Sequence, residues 1–116
     1  MEHILAVLHP YEPDYSNAST MGPEALPHLE TIVKREGPLL ASKAAYLASF
    51  IQDERSIAVL ESAARSNYPE VRVTAVVASK NLHIEAVDNV LELLKNDQDQ
   101  DVRAKAIKSI ESRRQR

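Results

Sequence analysis

Residues of like character recur along this chain at a fixed shift of 31 positions, and no other feature restricts its folding as strongly. Leu40, Val71 and Val102 form one such series, and Ala44, Ala75 and Ala106 form a second in the same apolar phase. Another register runs through Leu29, Leu60 and Leu91, each followed at once by a glutamate: Glu30, Glu61 and Glu92. A unit of this length cannot bury its apolar face alone. It must stack on its neighbours, which gives a solenoid whose contacts are local. Such an architecture favours a binding scaffold over a pocket enzyme and leaves the partner open.

The 116 residues suit one domain with a continuous core, small for a solenoid. Alanine, leucine, glutamate and valine are abundant and only 2 glycines occur, a composition that favours helix over sheet. A formal charge of −3 gives no reason to expect a general polyanion binder. With no cysteine there is no disulfide, thiolate metal site or cysteine nucleophile. No apolar run approaches the ~20 residues of a membrane helix, and Ile4, Leu5, Val7 and Leu8 make too short a stretch for a signal sequence. The expectation is a cytoplasmic protein.

Start signals and apolar spacing predict helices near 23–35, 38–51, 54–66, 69–82, 84–95 and 101–114. Pro23, Pro38 and Pro69 sit where a first helical turn tolerates a missing N–H, the first two behind Gly22 and Gly37. In the repeat frame Pro38 and Pro69 match Gln100, which makes Asp99 an N-cap, and Asp53 is a second cap candidate. Leu26, Leu29, Ile32 and Val33 define one apolar stripe, repeated by Ile57, Leu60, Ala63 and Ala64. Short connections make successive helices antiparallel neighbours, and alanines at the crossings let their axes approach closely. Residues 1–22 break the period. They read as a degenerate helix at 2–9 and a loop in which Tyr11 and Tyr15 fold back as a cap, ahead of a repeat domain at 23–116.

The segment from Asp53 to Leu60, followed by Pro69-Glu70-Val71-Arg72-Val73-Thr74-Ala75, resembles a bacterial-type HEAT repeat. Gly22 to Leu29 resembles the start of the second helix of such a unit, and Asp101-Val102-Arg103-Ala104-Lys105-Ala106 resembles the opening of the first. The short repeats of bilin-lyase-type proteins are also similar. The resemblance covers about residues 22–112. It implies an all-α, armadillo-like, right-handed superhelix of antiparallel helix pairs, about three units long, that binds other proteins along its second helices. It also implies that Arg72 and Arg103 bridge adjacent units. Ala41 departs from the pattern at the arginine position, and Asp88 departs where Leu26 and Ile57 are apolar.

On this reading His28, Thr31, Arg55, Ser62, Asn89 and Glu92 point into a shallow protein-binding groove, with another protein or peptide as partner. Lys34, Arg65 and Lys95 each lie three or four residues after a glutamate of the Glu30/Glu61/Glu92 stripe. Helix-surface ion pairs therefore account for that stripe better than an acidic ladder does. For Arg72 and Arg103, with Glu70 and Asp101 close by, an intramolecular network is favoured over an anion site. Val102, Ala106, Ile107 and Ile110 of the last helix lack a following partner, which leads to an expected end-face contact with another copy of the chain or with a neighbouring protein.

Other motifs lead nowhere. Asp97, Asp99 and Asp101 alternate as in a calcium loop, but Val102 and Lys108 stand where that loop needs glycine and glutamate. His3, His9, His28 and His83 lack metal-ligand spacing, so neither metal nor cofactor is expected. No phosphate loop, nucleophile elbow or catalytic carboxylate pair can be found, and the chain reads as non-catalytic. Two rival readings remain. One is a nucleic-acid binder using Arg103, Lys105, Lys108, Arg113, Arg114 and Arg116, which the charge balance disfavours. The other is an accessory subunit of a bilin-lyase-type enzyme.

Overall fold

The computed structural model of the chain describes residues 22–114. The expected helix at 2–9, the Tyr11–Tyr15 cap and Arg116 lie outside them. Among the described residues there are six α-helices and no strand: α1 Leu26–Arg35, α2 Pro38–Ala48, α3 Arg55–Ala64, α4 Pro69–Ser79, α5 Val87–Leu94 and α6 Gln100–Arg114. A short 3₁₀ turn, Pro23–Ala25, precedes α1. Every helix packs on its sequence neighbour. In addition α1, α3 and α5 contact one another in succession, as do α2, α4 and α6. The helices thus lie in two rows, in a body of 37 × 28 × 22 Å.

Local chemistry explains the ends. Gly37 and Tyr68 are extended N-cap residues, and Pro38 and Pro69 fill the first turn behind them. Asp99 accepts the Val102 N–H at 3.0 Å, so α6 starts at Gln100 as the repeat frame predicts. The Asp53 carboxylate accepts the Arg55 N–H at 2.8 Å and the Arg55 Nε–H at 3.0 Å. The N-cap of α3 is Glu54 and not the expected Asp53, whose carboxylate instead braces the turn before the helix. The Arg55 guanidinium holds that carboxyl below its ordinary value, and the bond is lost as acid protonates Asp53.

Several predicted ends need correction. Pro27 cannot donate a backbone bond, so the segment expected as one helix from 23 divides, and α1 begins only at Leu26. The C-termini of α2 and α4 tighten into i→i+3 bonds, with Ile51 N–H to Ala48 O and Leu82 N–H to Ser79 O. Ile51 and Leu82 are buried all the same. The segment Ile84–Ala86 is likewise a turn, so α5 starts at Val87.

The core has the predicted phase. Leu29, Leu60 and Leu91 are all fully buried, as are Ala44, Ala75 and Ala106. The Asp88 departure also has its expected consequence. Leu26 and Ile57 are buried, whereas Asp88 is exposed and accepts a hydrogen bond from Arg113 Nε. Val87 takes over the inward position, in phase with buried Ala25 and Ser56.

Polar bonds clasp both ends of the helix rows. At one end Arg72 is buried and makes a bidentate pair with Asp97 in the α5–α6 turn, Nε at 2.9 Å and Nη2 at 3.2 Å. Its Nη1 donates to Ser66 O at 2.8 Å, and Arg103 Nη1 donates to Asp97 O at 2.7 Å. The two arginines thus make the same bond to the carbonyl six residues back, one repeat apart. The expected network exists, but with other partners: Asp101 pairs with Lys105, and the arginines reach turn residues instead of Glu70 and Asp101. At the other end the Gln52 amide donates to Asn81 O at 2.6 Å and accepts the His83 N–H at 3.0 Å. Asn81 also donates to Ser49 Oγ at 3.0 Å.

One end-face expectation is overturned in part. Val102 and Ala106 are fully buried, because α6 turns them onto α4 and α5, and Ile110 packs partly on the same core. Ile107 alone of the four is exposed, at 45%. Its counterparts Val76 and Ala45, one and two repeats earlier, are 2% and 0% exposed.

The Arg72–Asp97 pair yields a ranking. Removing one partner of a buried ion pair strands the other, so Arg72→Ala is expected to cost about 3–5 kcal/mol. Arg103→Ala removes only carbonyl contacts from a half-buried side chain, and about 1 kcal/mol is expected. Urea denaturation of both variants checks the order. Equal losses would mean that Asp97 is not held by Arg72.

Candidate functional site

One concavity lies between α1 and α3 on the odd-helix row. It is a groove of about 490 Å³, with Val33, Lys34 and Glu36 on one wall and Ser62, Arg65 and Tyr68 on the other. Its walls exist because the apolar stripes of α1 and α3 turn Leu29, Ile32, Leu60 and Ala63 inward, which leaves the residues between them at the surface.

Its electrostatics are those of paired charges. Lys34 Nζ lies 3.2 Å from Glu30, Arg65 Nη1 lies 3.6 Å from Glu61, and Lys95 Nζ lies 2.5 Å from Glu92. The Glu30/Glu61/Glu92 stripe is therefore neutralised on its own helices, as the spacing predicts. Ser62 Oγ donates to Glu30 at 3.0 Å and ties α3 to α1 across the groove floor. Glu36 is exposed and has no ion-pair partner among the described residues.

The six predicted groove residues do not converge. Ser62 lines the α1–α3 groove. Glu92 lies at a smaller hollow between α5 and α6, where Arg113 pairs with Asp88 and Arg114 approaches Glu92 at 3.9 Å. Thr31 returns its hydroxyl to Pro27 O at 3.0 Å, and Arg55 is spent on Asp53. His28 and Asn89 are exposed and line neither hollow. The sequence reading missed Lys34, Glu36, Asn67 and Tyr68. Tyr68 carried a signal: it is an aromatic residue directly before Pro69, off the apolar stripe, and it is 44% exposed.

A second groove, of about 460 Å³, lies between α3 and α5 at the same end of the rows. Ala64, Arg65 and Asn67 form one side, and Leu93, Asp97 and Gln98 form the other. Leu93 is 47% exposed there. Chemically, both grooves offer a mixed surface of charge, amide and a single large apolar side chain, suited to contact with a flexible chain.

The three aspartates of the calcium-like run are spent separately on Arg72, the α6 N-terminus and Lys105. Among the described residues no group of three metal-ligating side chains converges. No helix among them is long and apolar enough to cross a membrane. Comparison with family models, curated proteins and solved structures gives no match.

Exposed helix-surface pairs contribute little to stability. Glu61→Gln is expected to move the unfolding free energy by less than about 0.5 kcal/mol, and Tyr68→Ala by less than about 1 kcal/mol. Thermal unfolding followed by circular dichroism checks both. A larger loss would assign these residues to the fold and take them out of the candidate site.

Proposed function

We propose that this chain is a small HEAT-like α-solenoid that works as a non-catalytic scaffold, presenting the surface of α1, α3 and α5 to another protein or peptide. The observation that carries the reading is the groove between α1 and α3, whose walls come from equivalent positions of successive units. Two further observations support it. The helices pack in two rows by neighbour contacts, and the Arg72 and Arg103 bonds repeat with the 31-residue shift. Local, repeated contacts of this kind build extended surfaces and leave recognition to exposed side chains.

The nucleic-acid alternative loses most of its cations to internal bonds. Arg103 is held by Asp97 O and Gln98 O, Lys105 by Asp101, Arg113 by Asp88 and Arg114 by Glu92. Phosphates would have to outcompete these pairs. Scaffold binding is the better supported reading. Self-association belongs to the same proposal in a reduced form, centred on Ile107.

Panning a random peptide display library against the immobilised full chain tests the scaffold reading. A common motif should be enriched, and capture should be lost on the Glu30→Lys/Glu61→Lys/Glu92→Lys variant. Enrichment that ignores the variant, or duplex DNA binding with a steep salt slope, would sink the reading. Sedimentation velocity addresses Ile107. An oligomer that Ile107→Glu converts to monomer is expected, and a monomer at high concentration removes that element.

A further inference from the structure

The two odd-row grooves are the same groove, repeated. Shifting the α1–α3 groove by 31 residues carries Val33, Lys34 and Glu36 onto Ala64, Arg65 and Asn67, which line the α3–α5 groove. The same shift carries Ser62, Ser66 and Asn67 onto Leu93, Asp97 and Gln98. Both grooves share Arg65, Ser66 and Asn67, so the ridge between them is the C-terminal end of α3 and the turn after it. Their separation is therefore that of packed helices, about 8–10 Å.

A ligand filling both grooves must offer side chains at that pitch on one side. A polyproline II chain does so every third residue, with an advance of about 9.3 Å. A β-strand offers same-side residues about 6.6–6.8 Å apart, which falls between the grooves. An α-helix offers neighbouring same-face side chains about 5–6 Å apart, short of the groove pitch. Exposed Tyr68 at the ridge supplies the aromatic face on which proline rings pack.

Charge and polarity distinguish the two grooves. The first is lined by three carboxylates, Glu30, Glu36 and Glu61, against two cations, Lys34 and Arg65, and Glu36 has no ion-pair partner among the described residues. A cation of the ligand complements it. In the second groove the Arg72 and Asp97 charges cancel in their buried pair, and exposed Leu93 is the available contact. An apolar side chain complements that one.

We propose that the scaffold surface receives a proline-rich segment in the polyproline II conformation. A basic residue of the segment meets Glu36, and an apolar residue three positions away meets Leu93, with the intervening prolines on Tyr68. This rests on the scaffold reading above and specifies its ligand class.

The test titrates the full chain with fluorescein-labelled nine-residue polyproline peptides carrying lysine and leucine, in either order. The two residues are placed three apart or two apart. The better three-apart peptide should bind about tenfold more tightly than either two-apart peptide, the scale of one lost apolar or charged contact. Glu36→Lys should weaken it about tenfold, and replacing the peptide lysine with glutamate should restore binding to that variant. Leu93→Ala should weaken it without altering the Glu36 effect. Both positions are exposed, and unchanged thermal unfolding of each variant confirms that the fold is intact.

Equal affinity for the two spacings, or no rescue in the charge swap, overturns the inference. Amide shift mapping separates the levels of failure. If peptides perturb α1, α3 and α5 without preferring a spacing, the inference falls and the scaffold reading stands. If no peptide, including those from the display selection, perturbs those helices, both fall.

Discussion

The close approach of short helices through alanine is the constraint on which the other features depend. Ala41, Ala44, Ala45 and Ala48 keep most of the inward surface of α2 small, and all four are fully buried. Ala63, Ala75, Ala78 and Ala106 do the same on neighbouring helices. Helices of 8 to 15 residues have little stability of their own in water, so they persist because they pack. Larger residues at the crossings would separate the rows and pull apart the polar clasps at their ends. Large side chains from both rows, among them Leu29, Leu60 and Leu91 of the odd row and Leu47, Val71 and Val76 of the even row, fill the core between the helices.

An alanine-rich interface is geometrically permissive, since small side chains interlock weakly and allow helices to slide. Directional bonds at the two ends supply the register. Asp97 receives Arg72 through its carboxylate and Arg103 through its carbonyl, and its carboxylate also accepts the Asp99 N–H at 2.9 Å. One turn residue thereby fixes α4 and α6 against the end of α5. Gln52 performs the comparable task at the opposite end, where its amide both donates to and accepts from the α4–α5 turn. Among the described residues no buried side-chain nitrogen or oxygen lacks a partner, so these clasps carry no desolvation penalty left uncompensated.

Legibility in the sequence follows from the same division of labour. Burial could be read because it depends on phase: Ile51 and Leu82 are buried as predicted even though the chain there has left the α-helix. The helix-surface pairs of Glu30, Glu61 and Glu92 were legible for a similar reason, since both partners lie within one turn. Arg72–Asp97 and Gln52–Asn81 were not. Their partners are 25 and 29 residues apart, and nothing in local spacing says which turn an arginine will reach. The candidate site was the least legible part. Glu36, Asn67 and Tyr68 are loop or terminal residues outside the apolar stripes, and the repeat has meaning there only once two units are side by side.

The third unit shows where packing gives way to surface. Leu26 and Ile57 become Asp88, and Val33 and Ala64 become Lys95. Both are exposed and ion-paired, whereas their predecessors are buried. The odd row thus turns polar at the positions where, one unit earlier, a following helix would be packed. The even row does not make the same change, because Ala45 and Val76 are followed by an exposed Ile107. The face beyond α5 and α6 is therefore half closed. Charge keeps the α5 side in water, and the α6 side retains the apolar character of an interior position. On the loop edge, polar Ser62 gives way one repeat later to exposed Leu93, which distinguishes the second groove from the first. Under the proposed scaffold function, the positions that distinguish one ligand from another are those where a repeated residue changes its chemistry while its backbone setting stays the same.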